Sequence, residues 1–205
     1  PGCNWDCFYC HNRGILRGNV PRMDPNEVME FLQKRRGLLE GVVLTGGEAT
    51  LQPGIEKFVR TIKKMGYQVK LDTNGSRPDV VRTLLKKDLL SYVALDYKAP
   101  CKRYPEICGE AADPKSVFET LSLLLVAGVG FETRTTAIPQ LGEEEIIEMA
   151  RAIPPVPRFV LQDYRQPEQY KEEDRFRVSQ KSRGARFLTA VAEKIRPYQP
   201  GAEVR

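Results

Sequence analysis

The chain has 205 residues, 41% of them hydrophobic and 29% charged, which is typical of a folded globular domain. The 32 Lys and Arg residues exceed the 27 Asp and Glu residues by only five, and they are scattered along the chain. Scattered charges favour solvated helix faces over a nucleic-acid or other acidic partner. The longest apolar run, Leu121–Val126, is far shorter than the roughly 18 residues of a membrane span. Intrinsic disorder, a collagen-like repeat and a secreted disulfide scaffold are therefore excluded.

Strands and helices are predicted to alternate along the chain. Five short apolar or β-branched runs predict strands at Val42–Thr45, Val69–Asp72, Tyr92–Asp96, Phe131–Thr136 and Phe159–Gln162. Apolar residues at three- and four-residue spacing predict a helix that starts at Pro25 and includes Val28, Phe31 and Leu32. The same spacing predicts further helices at about 55–65, 79–87, 114–127, 143–152 and 184–195. This alternation predicts an α/β fold with a parallel sheet, flat or curled into a barrel. We expect one domain over residues 1–205, with a polar, mobile loop at 166–183.

Three of the five cysteines lie within eight residues, in the run Cys3-Asn-Trp-Asp-Cys7-Phe-Tyr-Cys10. The odd number of cysteines and the lack of an export signal predict a reducing compartment, the cytoplasm. The start at Pro1 indicates a cropped N-terminus. Zinc would need a fourth ligand, and His11 does not fit the usual spacing of zinc ligands because it directly follows Cys10. A thioredoxin-like pair would leave Cys3 unexplained. Three thiolates on one loop suit a 4Fe-4S cubane in which one iron has no protein ligand and can bind another molecule.

Polar residues follow three successive predicted strands. They are Gly46-Gly47-Glu48, Asp72-Thr73-Asn74-Gly75 and Asp96-Tyr97-Lys98. The carboxyl ends of parallel strands meet at one edge of a sheet, so we expect these residues to surround one site.

The spacing of the three cysteines, with the aromatic Tyr9 before the last of them, resembles the signature of the radical S-adenosylmethionine (SAM) enzymes. The run Val43–Glu48 resembles a second motif of these enzymes, the Gly-Gly-Glu motif. Cys10–Arg13, Asp72–Gly75 and Asp96-x-Lys98 narrow the resemblance to glycyl-radical activating enzymes, of which pyruvate formate-lyase activase is the type. The likeness is greatest to anaerobic ribonucleoside-triphosphate reductase activating proteins and covers most of residues 1–165. Ala49 departs from the pattern, which has proline there. The resemblance implies a partial (βα)6 TIM-type barrel whose first strand would precede Pro1.

The resemblance also implies the cofactors and a role for each site residue. Cys3, Cys7 and Cys10 would ligate a single 4Fe-4S cluster, and SAM would chelate the open iron. Backbone groups of Gly46 and Gly47 would bind the SAM ammonium. Tyr9 would contact the adenine of SAM, and Asn74 would bind its ribose. Lys98 would bind the SAM carboxylate, and Arg134 would bind either the carboxylate or the ribose. Asp72 would also belong to the SAM site, and Glu48 would shape the turn after the glycines.

Several of these residues have a second interpretation. Asp72 and Asp96 would repel each other unless a positive charge lies between them. The resemblance implies a monovalent cation, held also by the Thr73 and Ala94 carbonyls, whereas the alternative is a salt bridge to Lys98 or Arg134. The alternative for Tyr9 is a position in the core, and the alternative for Lys98 is an exposed position on the surface. Asn74-Gly75 is also an ordinary turn pair, and Arg134 also suits a structural ion pair.

Three reactive side chains receive no site role. We expect His11 to pack within its loop, and Cys101 and Cys108 to be free thiols or an accidental disulfide, since their spacing matches no metal motif.

The function implied is the installation of a glycyl radical on a partner enzyme, anaerobic ribonucleotide reductase, with a flavodoxin- or ferredoxin-type electron donor. The alternatives are a small-molecule radical SAM enzyme, similar to 7-carboxy-7-deazaguanine synthase, and an iron–sulfur electron-transfer protein. The last would not need Gly46-Gly47-Glu48.

Overall fold

The computed structural model describes residues 1–16 and 20–205. Across these residues the strands form one open sheet in which all neighbours are parallel and follow one another in sequence order. The strands are β1 (Gly41–Leu44), β2 (Gln68–Thr73), β3 (Tyr92–Asp96), β4 (Gly130–Ala137), β5 (Phe159–Asp163) and β6 (Ala202–Val204). The predicted α/β class, the parallel sheet and its five predicted strands are confirmed.

Helices connect the strands, as predicted. They are α1 (Pro25–Lys34), α2 (Ile55–Lys64), α3 (Pro78–Lys86), α4 (Tyr104–Cys108), α5 (Pro114–Val126), α6 (Glu143–Arg151), α7 (Arg175–Val178) and α8 (Gly184–Ile195). Short 3-10 turns lie at Arg13–Ile15, Ala49–Leu51, Cys101–Arg103 and Glu172–Asp174. Asp24 accepts a hydrogen bond from the Asn26 N–H at the start of α1, which satisfies a donor that the helix leaves unpaired. None of these helices is both long and apolar enough to cross a membrane.

Three elements were not predicted, because each is too short to show a periodic pattern. β6 has three residues, α4 has five and α7 has four. The stretch 166–183 was expected to be a loop, but it contains the turn Glu172–Asp174 and α7. Asp174 and Val178 are buried there, so part of the stretch packs against the domain. Its mobility stays a prediction, as does a strand before Pro1.

Side-chain alternation along the strands gives the sheet two different faces. Leu71 of β2 and Leu95 of β3 are fully buried, in the same core cluster as Val59 and Ile62 of α2. Asp72 points away from this core and Asp96 is register-paired with Arg134, so charged side chains line the other face. Charged groups on the inner face of a sheet need partners or a ligand. The functional site is therefore expected on that face of the sheet.

Candidate active site

A cavity of about 730 Å³ lies at the carboxyl ends of the strands. The cysteine loop forms one wall, and the ends of β1 to β5 form the floor and the opposite wall. The cavity brings together most of the predicted site residues: Cys3, Cys7, Cys10, Tyr9, Gly46, Gly47, Asp72, Asn74, Asp96, Lys98 and Arg134. Residues up to 131 positions apart in the sequence therefore share one site, as the strand-end argument predicted.

Backbone hydrogen bonds fix the first residues of the cysteine loop to the end of β1. Gly2 N–H donates to the Ile15 carbonyl at 2.7 Å, and the Glu48 N–H donates to the Gly2 carbonyl at 2.9 Å. A Cβ on Gly47 would lie only 2.0 Å from the Gly2 carbonyl oxygen. Only glycine allows this approach, so Gly47 sets the distance between the strand end and Cys3.

The three cysteines are free thiols in distinct surroundings. Burial raises the pKa of Cys3 to about 11 and also raises the pKa of Cys10. The neighbouring Cys108 thiol lowers the pKa of Cys7, against the opposing effect of burial. Cys3 Sγ also accepts weak contacts from the Trp5 N–H at 3.5 Å and from Asn74 Nδ2 at 3.8 Å. Such N–H donors stabilise negative charge on a ligand sulfur.

These residues fit a cubane cluster. Within residues 1–16 and 20–205, no three His, Cys, Asp or Glu side chains surround one point as a single metal ion would require. A cubane places no such demand, because each thiolate binds a different iron. Three free thiols on one loop face one cavity, and N–H donors lie close to Cys3 Sγ. Cys3, Cys7 and Cys10 would hold the cluster.

Glu48 turns away from the cavity and anchors the neighbouring strand end. Its carboxylate accepts hydrogen bonds from Thr50 N–H (3.1 Å) and Oγ1 (2.6 Å), Thr73 Oγ1 (2.8 Å) and Asn74 N–H (2.7 Å). Burial raises the pKa of Glu48, and these four bonds oppose the rise. Glu48 thus holds the turn and the start of the Asn74 loop, while its cofactor-binding role stays a prediction.

Asp72, Asp96, Lys98 and Arg134 form one ion-pair network across β2, β3 and β4. Arg134 Nη1 lies 3.1 Å from Asp72 Oδ2, Arg134 Nη2 lies 2.8 Å from Asp96 Oδ1, and Lys98 Nζ lies 2.9 Å from Asp96 Oδ2. Burial alone would raise the pKa of Asp96, but Lys98 and Arg134 hold it below its usual value. Burial alone would likewise lower the pKa of Lys98, and Asp96 raises it well above normal. Asp96, Lys98 and Arg134 therefore remain charged at neutral pH.

The guanidinium of Arg134 therefore supplies positive charge between the two aspartates, as the salt-bridge interpretation predicted. Asp72 Oδ1 nevertheless accepts no hydrogen bond from the described residues, although it is buried, and its nearest cation is Lys70 Nζ at 3.5 Å. A buried carboxylate oxygen without a donor fits a ligand for a small cation. The monovalent cation stays a prediction.

Tyr9 and His11 lie on the cavity wall contributed by the cysteine loop. Tyr9 is buried, burial raises the pKa of its phenol well above normal, and its hydroxyl has no hydrogen-bond partner in the described part of the chain. The Tyr9 side chain lines the cavity, so it is placed to contact a bound molecule there. His11 is exposed at the rim beside Cys10 rather than packed within its loop.

Sequence reasoning assigned no role to several residues that shape the site. Arg13 donates to the Cys7 carbonyl at 3.0 Å and pairs with Asp6 at 2.9 Å, while Asn12 donates to the Gly46 carbonyl at 3.0 Å. These contacts hold the second half of the cysteine loop. The cavity is also lined by Thr136, Gln162, Asp163, Arg165 and Arg205. The position of Asp163–Arg165 just after the predicted strand Phe159–Gln162 is the signal that could have identified that segment.

The comparisons with known proteins agree with this geometry. The family model of the radical SAM superfamily matches residues 1–153. The chain therefore belongs to the radical SAM superfamily, whose members use a 4Fe-4S cluster and SAM. A relative named "Putative glycyl-radical enzyme activating enzyme" from Methanocaldococcus jannaschii is 31% identical over 202 residues, which are 94% of this chain and 82% of the relative. Another, a "Probable GTP 3',8-cyclase" from Pyrococcus horikoshii, is 34% identical over 109 residues, or 52% of this chain and 35% of its own length.

Solved structures support the fold. SuiB from Streptococcus suis bound to S-adenosylmethionine superposes with a TM-score of 0.76 at 16% identity, over all of this chain and 48% of SuiB. TYW1 with a lysine-pyruvate adduct superposes with a TM-score of 0.62 at 18% identity, over 97% of this chain and 70% of TYW1. These likenesses confirm the partial TIM-type barrel. The chain spans about half the length of SuiB and about a third of the GTP cyclase.

Proposed function

We propose that this chain is a radical SAM activase that installs a glycyl radical on a partner enzyme, anaerobic ribonucleoside-triphosphate reductase. The observation that carries the proposal is the likeness to the Methanocaldococcus jannaschii relative, which extends over 94% of the chain rather than over the cysteine motif alone. The open sheet supports it, because a strand order without closure leaves the cavity accessible to a polypeptide loop. A flavodoxin or ferredoxin would supply the electron.

The chain's own residues would prepare the site as follows. A bound, reduced 4Fe-4S cluster would supply the electron for cleavage of SAM into methionine and a 5′-deoxyadenosyl radical, and that radical would take a hydrogen atom from the partner's glycine. Lys98 has three N–H donors and uses one on Asp96, so two remain for the SAM carboxylate. Backbone groups of Gly46 and Gly47 would bind the SAM ammonium, and Tyr9 would cover the adenine.

A second candidate is a radical SAM enzyme that acts on a small molecule. The half-length match to the GTP cyclase favours it, as does Arg165 on the cavity lining, which suits an anionic substrate. The two candidates differ in whether a protein radical forms.

Electron paramagnetic resonance (EPR) distinguishes the two candidates. Reduced protein with SAM alone should form 5′-deoxyadenosine slowly, and adding the cognate reductase should produce a persistent glycyl signal. The reductase whose radical glycine is replaced by alanine should give no signal. Docking contacts position the glycine loop, and positioning can supply roughly 7–11 kcal/mol of a barrier, so a short free peptide should react far more slowly. Rapid turnover of a small metabolite without any protein radical would instead establish the second candidate.

Lys98→Ala should weaken SAM binding while leaving the cluster intact. The loss of a hydrogen bond to a charged group costs roughly 1.5–3 kcal/mol, a drop of about 10- to 150-fold in affinity. Asp96 keeps Arg134 as its partner, so the fold should hold. Calorimetric titration of SAM into anaerobically reconstituted protein measures the effect. The exposed Lys102→Ala is the matched control, and an unchanged dissociation constant in Lys98→Ala would assign Lys98 a purely structural role.

A further inference from the structure

Two neutral polar side chains on the cavity wall are not bonded to the protein. Thr136 of β4 and Gln162 of β5 are partners in the parallel register, and both line the cavity at the carboxyl ends of their strands. Among residues 1–16 and 20–205, neither the Thr136 hydroxyl nor the Gln162 side-chain amide makes a hydrogen bond. Sequence reasoning gave neither residue a role. Both side chains are therefore available to a bound molecule.

The charged side chains deeper in the cavity are, by contrast, engaged with one another. Arg134 pairs with Asp72 at 3.1 Å and with Asp96 at 2.8 Å. Side chains alternate along a strand, so Thr136 lies on the same face of β4 as Arg134 and closer to the mouth of the cavity. The wall thus has an inner part whose charges are paired and an outer part, Thr136 and Gln162, whose hydrogen-bonding groups are unused.

The backbone on both sides of Thr136 is held in place. Thr135 is buried, and its Oγ1 donates to the Tyr97 carbonyl at 2.6 Å, which joins β4 to the end of β3. The Ile138 N–H donates to the Thr136 carbonyl at 2.8 Å, which closes a tight turn directly after the residue. The Thr136 hydroxyl is therefore carried on a fixed part of the wall.

The segment after Gln162 is held in the same way. The Asp163 N–H donates to the Arg205 carbonyl at 3.2 Å. Tyr164 is buried, and its hydroxyl donates to the Val178 carbonyl at 2.7 Å. A side chain on such a fixed backbone can hold a ligand in one orientation, because little freedom is lost on binding.

The chemistry of these two side chains matches a peptide group. The Gln162 amide has an N–H₂ donor and a carbonyl acceptor, and the Thr136 hydroxyl both donates and accepts. A peptide group likewise has one N–H donor and one carbonyl acceptor. Glycine has no side chain, so a protein recognises it through the peptide groups on either side. A charged ligand would need a charged partner, which neither residue supplies.

We propose that Thr136 and Gln162 bind the peptide backbone beside the glycine that the partner enzyme presents, and so determine specificity for a polypeptide substrate. The inference rests on the proposed activase function. A peptide group held by two adjacent side chains cannot rotate, so the orientation of the neighbouring glycine Cα is fixed. SAM would use other residues of the wall, and binding of the two substrates can therefore be separated by mutation.

Binding without turnover is the first test. Gln162→Met and Thr136→Val keep the approximate size of each side chain and remove its hydrogen-bonding groups. The cognate reductase is titrated calorimetrically into reconstituted protein that holds SAM and an oxidised cluster. A neutral hydrogen bond is worth roughly 2- to 10-fold in affinity, so each variant should bind the reductase more weakly by about that factor and bind SAM unchanged. Thr136→Ser keeps the hydroxyl and should match the unmodified protein, as should the control Gln33→Met on the exposed surface of α1.

The number of 5′-deoxyadenosine molecules formed per glycyl radical gives a second readout after reduction. A glycine that is held less firmly reacts less often for each SAM cleaved, so the ratio should rise in Gln162→Met and Thr136→Val but not in Thr136→Ser. An unchanged reductase affinity together with an unchanged ratio would overturn the inference. Weaker SAM binding in either variant would also overturn it, because the pair would then belong to the SAM site. If the unmodified protein forms no glycyl radical, the proposed function itself fails, and the inference fails with it.

Discussion

Replacing any one of Cys3, Cys7 or Cys10 by Ala should abolish SAM cleavage. All three thiols are free and line one cavity on a loop that is fixed to β1 and α4. A cubane held by three cysteines already lacks one protein ligand, so the loss of another removes the geometry that SAM chelation needs. The measurement is 5′-deoxyadenosine formed per chain under reducing conditions, together with iron and sulfide content.

The exposed Cys101→Ala is the control for this series and should retain both the cluster and SAM cleavage. Unmodified protein should contain about four irons and four sulfides per chain. Full activity in Cys7→Ala, or an essential Cys101, would contradict the assignment of the ligands.

Glu48→Ala should destabilise the fold more than any other single carboxylate substitution at the site. The change would leave four buried donors on Thr50, Thr73 and Asn74 without their acceptor. A buried polar group without a partner costs about 1–3 kcal/mol, and partial rearrangement leaves a total of about 3–5 kcal/mol. Urea unfolding under anaerobic conditions, followed by circular dichroism, measures the free energy of unfolding.

Two variants make the Glu48 result specific. Glu48→Gln keeps the shape and most of the acceptors but turns an amide N–H₂ toward one of the donors, so its loss should be smaller than that of Glu48→Ala. Glu144→Ala removes an exposed carboxylate on α6 and should change the free energy of unfolding by at most about 0.5 kcal/mol. Equal stability of Glu48→Ala and Glu144→Ala would mean that the carboxylate does not anchor the turn.

The sheet and the outline of the site could be predicted because their signals are local. Short apolar runs predict strands, and polar residues after each run fall at one edge of a parallel sheet whatever the detailed packing. Hence the sequence predicts that Gly46, Asn74 and Lys98 share a site, and the three residues line one cavity. The cysteine spacing similarly indicates a cluster, because its ligands lie within a single loop.

The contacts that complete the site depend on long-range packing and could not be predicted. Asp72 and Arg134 are 62 residues apart, and the sequence left open whether Arg134 or a cation would lie beside Asp72. The end of α4 lies against the cysteine loop, where the Asp6 N–H donates to the Cys108 carbonyl, but α4 is too short to show a period in the sequence. β6 was missed for the same reason, since three residues cannot show alternation.

Isotope transfer tests the proposed activase function most directly. The cognate reductase is produced with glycine that carries deuterium on its α-carbon, and it is incubated anaerobically with SAM and the reduced radical SAM protein. If the radical abstracts hydrogen from the reductase glycine, mass spectrometry should detect 5′-deoxyadenosine with one added deuterium, in an amount that matches the glycyl EPR signal. The same reductase with its radical glycine replaced by alanine should yield only unlabelled product. Unlabelled 5′-deoxyadenosine from the intact labelled reductase, without a glycyl signal, would contradict the account.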